Sequence, residues 1–529
     1  MTLPDSVHSI PAAVQHAART FREATYLIDG DLRWSFADAE RRMMQAARGL
    51  IARGIRPGDR VALLAPNCGE WIQTALGIHA AGGVLVPLNT RYKTPEIEHI
   101  LNKSGARLIF AVGDFLGLDH VGMIRATGAD AAQNIVVLDD AVIDGAQGFA
   151  DFLAEGSAVD EQEVQRRIDA LGYDDLSDIL FTSGTTGAPK GVRIRHGQSV
   201  RIVDWLTAAF TVGEGDVHAI VPPFFHVAGY KAGWLGALFA GAAVIPLQTF
   251  DTESLLATIQ EHRVSVLFGP PTMFVDLIAH PDRADYDLSS LRASNVAAAG
   301  SPPGLVQQMH DVLGFEVVIN AYGQTEANGL IATCRPDDPV EIVSVSVGRA
   351  IDDVEVFIAG EDGNEVPRGV AGEVMVRGYN VMDAYWDEPE ETAAAIRPDG
   401  FLHTGDIATM DERGYLRITD RKKDMYIVGG FNAYPAEIEA QLTKHPDILH
   451  AAVIGVPDER MGEVGWAYVI PREGHRVDPD EVIAYAGENL ANFKVPRRVF
   501  VVDELPRNSS MKVLKYELRR QALELLAAG

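Results

Sequence analysis

The sequence predicts an α/β protein: a large N-terminal doubly wound α/β body with an antiparallel β subdomain, then a small C-terminal α+β domain. Three observations lead there. The chain has 529 residues, beyond the size at which one hydrophobic core keeps growing, so two or more domains are expected. Short apolar runs recur between longer helical patterns over its first part. After about residue 340 the texture changes to short strands split by turn residues, and past a charged run at 420–424 strands and helices alternate again.

Taken in order, the apolar runs are VALLAP at Val61, GGVLVPL at Gly82, ARLIFAV at Ala106, NIVVLDD at Asn134, VSVLFGP at Val264 and EVVINAYG at Glu316. Strands that read as near-continuous apolar runs are buried on both faces, as in a parallel sheet covered by helices. In such sheets ligands bind beyond the carboxyl ends of the strands. The longest uncharged apolar stretch, Ala232 to Leu247, contains Gly and Pro. It is too short to span a bilayer comfortably and reads as a buried helix followed by a strand. VEVFIAG, GEVMVRG and GYLRITD, set apart by turns such as Glu361-Asp362-Gly363 and Glu412-Arg413-Gly414, predict the antiparallel subdomain. Beyond Asp420-Arg421-Lys422-Lys423-Asp424 come a strand, YIVGG, a helix from Pro435 and another strand, HAAVIGVP. The boundary is set in that charged run, giving domains 1–420 and 421–529.

Apolar residues make up 47% and charged residues 23%, as in ordinary globular proteins. Acidic residues outnumber basic ones 74 to 46, for a formal charge of −28. Such a surface repels nucleic acid and anionic headgroups, so neither is an expected partner. A polyphosphate ligand needs a local cluster of cations and backbone amides. The two cysteines, Cys68 and Cys334, lie in no metal-spaced pair and fit a reduced, cytoplasmic setting. No basic region followed by an apolar run opens the sequence, so no secretory signal is expected.

The densest chemistry lies at Asp178-Ile-Leu-Phe-Thr-Ser-Gly-Thr-Thr-Gly-Ala-Pro-Lys-Gly191, a strand running into a loop of hydroxyls and glycines. Thr182, Ser183, Gly184, Thr185, Thr186, Gly187 and Lys190 are its candidate ligand residues. Glycines let backbone amides approach an anion closely, hydroxyls donate to its oxygens, and the lysine adds a mobile charge. The loop binds phosphate without being of the GxxxxGK[ST] kind, because Lys190 precedes Gly191 rather than Ser or Thr.

This string resembles the signature of the adenylate-forming superfamily, which comprises acyl-CoA synthetases, beetle luciferases and peptide-synthetase adenylation domains. Further motifs follow in the family's order. Tyr322-Gly-Gln-Thr-Glu326 is similar to YGxTE, and His403-Thr-Gly-Asp406 to its TGD motif. Asp420-Arg-Lys-Lys-Asp424 is similar to the GRxKD hinge, Gly429-Gly-Phe-Asn-Ala-Tyr-Pro435 to GGxNxYP, and Leu505-Pro-Arg-Asn-Ser-Ser-Met-Lys512 to LPRTxxGK. The resemblance implies an ATP-dependent acid:CoA ligase that works through an acyl-adenylate, with ATP, Mg²⁺ and coenzyme A as its ligands and a small carboxylic acid as substrate. Expected partners are thus small molecules, with no membrane span and a homodimer as an admissible assembly.

By the same resemblance, Thr186 and Glu326 hold Mg²⁺, Asp406 the ribose hydroxyls, Arg421 the ribose and phosphate, and Tyr322 the adenine. Gly300, Ser301, Pro302, Asn320, Ala321, Gly323, Gln324, Thr325 and Ile418 complete the nucleotide site. Lys512 is the implied catalytic lysine, Lys423 the hinge of a mobile C-terminal domain, and Gly429 and Gly430 the walls of a pantetheine tunnel. Met511 stands where the family has Gly, whose backbone freedom Met reaches only at a cost, which predicts strain beside Lys512.

For the acyl group, Pro222-Pro-Phe-Phe-His226 is similar to the family's PLFH segment, which places His226 between acyl pocket and nucleotide. Candidate pocket walls are Lys231, Gly269, Pro270, Ala298, Ala299, Gly323 and Asn328, and the small residues among them leave room for a wide acyl group. FFHVAGYKAG, AYGQTEANG, ITDRKKDMYIVGGFNAYPAEIE and LANFKVPR resemble actinobacterial ligases that activate bulky polycyclic acids from steroid-ring breakdown. The expected substrate is therefore a polycyclic or terpenoid acid. Two other readings fit the same motifs: an enzyme confined to thioesterification of a preformed adenylate because of Met511, and a non-catalytic binder of nucleotide or CoA.

Overall fold

The computed structural model describes all residues except Met1, Thr2, Asp5, Ser6, Asp140, 183–188, 297–301, Pro303, 422–423, 429–430, Glu459, Ala491, 509–510 and Gly529; the side chains of Asp420, Arg421, Phe431, Asn432 and Ala528 are also outside the description. Among the described residues the predicted α/β body divides its strands between a nine-stranded and a seven-stranded sheet. The seven-stranded sheet takes the early apolar runs: Arg60–Leu64, Val84–Pro87, Leu108–Ala111 and Ile135–Val137 all pair in parallel. The nine-stranded sheet takes Val266–Gly269, Ala293–Val296 and Val317–Tyr322, also parallel.

One core joins both sheets, holding Val61 and Leu63 of one with Val266 and Leu267 of the other, and Trp71, Val203 and Trp234 from the helices between them. A further helix packed on this core has a start fixed by its own sequence. Phe36–Ala52 starts behind Ser35, whose Oγ accepts from Asp38 N at 3.1 Å while the Asp38 carboxylate accepts from Ser35 N at 2.8 Å. That capping box satisfies two amides the first turn leaves unpaired. The stretch after His226 departs from plain helix: Ala228–Leu235 is a π-helix, followed by helix Gly236–Ala240 and strand Ala243–Pro246. Wide turns of this kind cluster at functional sites.

The antiparallel subdomain is a four-stranded sheet of Val354–Ala359, Gly372–Gly378, Leu402–Met410 and Leu416–Arg421. The next strand is Tyr426–Val428, which opens a five-stranded sheet with Phe431–Ala433, Ile448–Asp458, Gly462–Pro471 and Arg498–Val501. Helices Pro435–Leu442 and Pro479–Asn489 share that sheet's own core of Tyr426, Val453 and Val469. Among the described residues no helix is long and apolar enough to cross a membrane.

Candidate active site

Strand Val317–Tyr322 ends at the carboxyl edge of the parallel sheet and delivers Tyr322 to Asp406. The Tyr322 hydroxyl donates to Asp406 Oδ2 at 2.7 Å, and Asp406 N donates to Thr404 Oγ1 at 3.1 Å. Asp406, 4% exposed, lies opposite Arg421 across the neighbouring strand, with Ile418 opposite Ala408. Asn320 and Ala321 are buried on the strand behind Tyr322. Tyr322, Asp406, Ile418 and the backbone of Arg421 thus gather at one place. Gly323 turns the chain sharply there: a β-carbon on it would lie 2.2 Å from the Gly329 carbonyl oxygen, so no side chain fits. Gln324 then caps the short turn Thr325–Ala327, which carries Glu326.

Thr182 ends strand Leu176–Thr182, and opposite it Lys190 begins strand Lys190–Arg195. Ser183, Gly184, Thr185, Thr186 and Gly187 lie between them, outside the described residues. The Lys190 ammonium pairs with Glu391 and sits 5.3 Å from the centre of the Tyr385 ring. The Tyr385 hydroxyl donates to Glu326 Oε1 at 2.9 Å. Burial, and then the adjoining Glu326 carboxylate, push that phenol above its usual range. Tyr385 arrives because its segment pairs with the edge strand: Arg193 N donates to Ala384 O at 3.1 Å and Trp386 N to Gly191 O at 2.7 Å. Tyr385 and Glu391 escaped the sequence reading. The available signal was an aromatic pair, Tyr385-Trp386, ahead of the acidic run Glu388 to Glu391.

On the acyl side Asn67 fixes the Pro222–His226 segment. Its Nδ2 donates to the carbonyls of Ile220, Pro222 and Leu247 at 3.3, 3.1 and 3.0 Å, while its Oδ1 accepts from Phe224 N at 2.7 Å. His226 is half-buried, and burial followed by the positive charge of Lys512 lowers its pKa to about 4, so the ring is neutral near pH 7. Lys512 is carried by a small hairpin in which Arg507 bridges Val513. Asn508 N donates to Lys512 O at 2.8 Å, Met511 N to Asn508 O at 3.0 Å, and Lys512 N to Asn508 Oδ1 at 2.9 Å.

Met511 adopts φ +62°, the left-handed conformation that glycine would take without cost. The strain predicted from the sequence is thus present, and the Lys512 charge still bears on His226. The Met511 side chain lines a cleft of about 100 Å³ with Asn67, Arg91, Phe115, Phe225 and Phe250.

Gly269 closes strand Val266–Gly269, and Pro270, buried, precedes helix Pro271–Ala279. Asn328, 1% exposed at φ +51°, has neither amide atom hydrogen-bonded among the described residues. Pro302 is half-buried. Ala298, Ala299, Gly300, Ser301, Lys423, Gly429 and Gly430 lie outside the described residues, as does the Arg421 side chain.

Lys231, expected on an acyl-pocket wall, has its side chain fully buried with Nζ 2.6 Å from Asp178 Oδ2 and 2.8 Å from Ser199 Oγ. Burial lowers the Lys231 pKa. Burial alone would raise that of Asp178, but the Lys231 and His79 charges and the bonds from Lys231 and Ser177 hold it below the usual range. A lysine buried among apolar side chains needs a carboxylate partner, and Asp178 lies on strand Leu176–Thr182. The pair therefore ties the π-helical segment behind His226 to that strand.

Comparison with known proteins bears on the chemistry. The AMP-binding enzyme family matches residues 14–386, and the AMP-binding enzyme C-terminal domain matches residues 437–512. The 3-[(3aS,4S,7aS)-7a-methyl-1,5-dioxo-octahydro-1H-inden-4-yl]propanoyl:CoA ligase of Rhodococcus jostii is 46% identical over 516 residues, covering 97% of this chain and 98% of the relative. Its namesake from Mycobacterium tuberculosis is 45% identical over 515 residues, covering 97% and 99%. The crystal structure of the anthranilate CoA ligase AuaEII with anthranoyl-AMP superposes at a TM-score of 0.89, with 26% identity over 100% of this chain and 99% of that one. With both family regions present in order around the Tyr322–Asp406 pair and Lys512, the chain belongs to the AMP-binding enzymes, as an ATP-dependent acyl-CoA ligase.

Proposed function

We propose that the substrate is a propanoic acid borne on a fused, oxygenated ring system, activated as its adenylate and passed to coenzyme A. What supports the site assignment is the Tyr322 hydroxyl on Asp406 Oδ2 at 2.7 Å together with the hairpin that carries Lys512, whose positive charge bears on His226. In the first step a carboxylate oxygen of the acid bonds to the α-phosphorus of ATP, and the bond to the departing pyrophosphate breaks. Two unit charges about 4 Å apart cost about 4 kcal/mol at an effective dielectric of ~20, and the ammonium of Lys512 offsets that repulsion. In the second step the CoA sulfur attacks the acyl carbonyl carbon and AMP leaves.

Tyr322 and Asp406 would hold adenine and ribose, with Ile418 and Arg421 beside them. Lys190, paired with Glu391, would turn to the phosphates. Glu326 offers hard carboxylate oxygens, one of them engaged by Tyr385, which suits Mg²⁺, with Thr186 as the second protein oxygen. Such an ion would keep waters and substrate phosphates as its remaining ligands. That ion supplies charge neutralisation on the phosphates. Domains 1–420 and 421–529 would meet over this site, with Lys423 as hinge and Gly429 and Gly430 beside the thiol's path.

Two facts support the acid class. The ligases named for a methyl-dioxo-octahydroindenyl propanoyl group align over nearly the whole chain. Among the described residues Asn328 buries a carboxamide with both polar atoms unpartnered, and an amide left so costs about 1–3 kcal/mol unless a ligand oxygen meets it. Purified protein with ATP, Mg²⁺, CoA and the dioxo-octahydroindenyl propanoic acid is expected to release AMP and form the thioester. A straight-chain fatty acid of equal carbon number should have a much lower kcat/KM, and equal or better use of it overturns the acid class.

A further inference from the structure

Asp276 sits on helix Pro271–Ala279, directly after the Gly269-Pro270 turn, and its side chain is 23% exposed. Each carboxylate oxygen meets a different part of the C-terminal region. Oδ1 accepts from His450 Nε2 at 3.0 Å, and Oδ2 faces Arg507 Nη1 at 3.6 Å. His450 belongs to strand Ile448–Asp458 and is 7% exposed. Arg507 is the first residue of the hairpin that carries Lys512, bridged to Val513. One half-buried carboxylate thereby holds both the small sheet and the Lys512 hairpin against the body, 174 residues away from one partner in sequence.

We propose that Asp276 is a positioning residue for the adenylation step: it docks the Lys512 hairpin over the site through Arg507 and His450. This rests on the ligase reading above. The two half-reactions make different demands. Adenylation brings two anions together and needs the Lys512 charge in place, whereas attack of a thiol on an adenylate already formed does not join two anions. A residue that acts only by seating Lys512 therefore affects the first step alone. The same geometry assigns the charge pair a role that mere surface ion pairing would not have, since exposed pairs contribute little.

The test uses the full chain with Asp276→Asn and, from the other side, Arg507→Gln. Acid-dependent exchange of labelled pyrophosphate into ATP should fall about tenfold in each. Thioester formation from supplied acyl-adenylate and CoA should stay within about twofold of wild type. The double variant should fall no further than either single one, and Asp276→Glu should regain part of the exchange. Exchange unchanged in both variants, or both half-reactions reduced by one common factor, overturns the proposal. If the wild-type chain itself shows no exchange with the ring acid, the substrate reading fails instead, and another exchanging acid serves for the same comparison.

Discussion

Replacing Met511 by Gly probes the position beside Lys512 where the sequence motif leads one to expect glycine. At φ +62° an L-residue pays about 1–2 kcal/mol that glycine does not. Against that relief stand two losses. Glycine gives the unfolded chain more freedom, about 0.4–1 kcal/mol. The half-buried Met511 side chain, set in the cleft with Phe115, Phe225 and Phe250, surrenders about half of the ~2 kcal/mol that full burial of a methionine brings. The sum lies near zero. Met511→Gly should therefore leave the urea midpoint almost unmoved and change pyrophosphate exchange by less than about threefold. Met511→Val, which forces a β-branched residue into the left-handed region, should displace Lys512 and lower exchange more than tenfold. If Met511→Gly instead raises exchange tenfold, then Met511 holds Lys512 out of place, and the reasoning fails.

Lys231→Met strands the Asp178 carboxylate in the core and should cost about 3–5 kcal/mol in chemical denaturation, while Lys231→Met with Asp178→Leu should recover much of it. Burial lowers the pKa values of His79 and His226 to about 4 and that of His218 to about 3. Unfolding returns these rings to about 6.5, so the unfolded chain binds more protons in between. Stability should therefore hold above about pH 6.5 and fall as the pH drops towards 4, by about 1.4 kcal/mol per pH unit for each fully buried ring; denaturant midpoints at pH 7.5, 6 and 5 that coincide would contradict this. Tyr322→Phe removes the hydroxyl on Asp406 and should raise KM for ATP about tenfold, as expected for a hydrogen bond to a charged group, with KM for the acid unchanged in steady-state kinetics.

Much of the fold is legible because its strands are buried on both faces. Runs such as VALLAP and VSVLFGP keep no polar alternation, and their parallel pairing follows from that. Their division between two sheets is not legible, since strand partners are chosen by contacts far apart in sequence: Val266–Gly269 pairs with both Val217–Ile220 and Ala293–Val296. The site shows the same limit. Tyr322 and Asp406 announce themselves by motif. The pairing of Lys231 is not legible because its partner, Asp178, lies in another motif altogether, and nothing local shows that the two share the core. Tyr385 and Asp276 act through residues reached only by folding: Glu326 and Lys190 for one, Arg507 and His450 for the other.

The strand Lys190–Arg195 is the outermost of its sheet, and the Ala384–Trp386 segment lies along it. An outermost strand left bare is a template for pairing with a second chain. The segment that aims Tyr385 at Glu326 therefore also seals this rim against aggregation. A proteolytic nick between Gly378 and Glu391 would loosen both duties together, so clumping and inactivity should appear in the same fraction of damaged molecules.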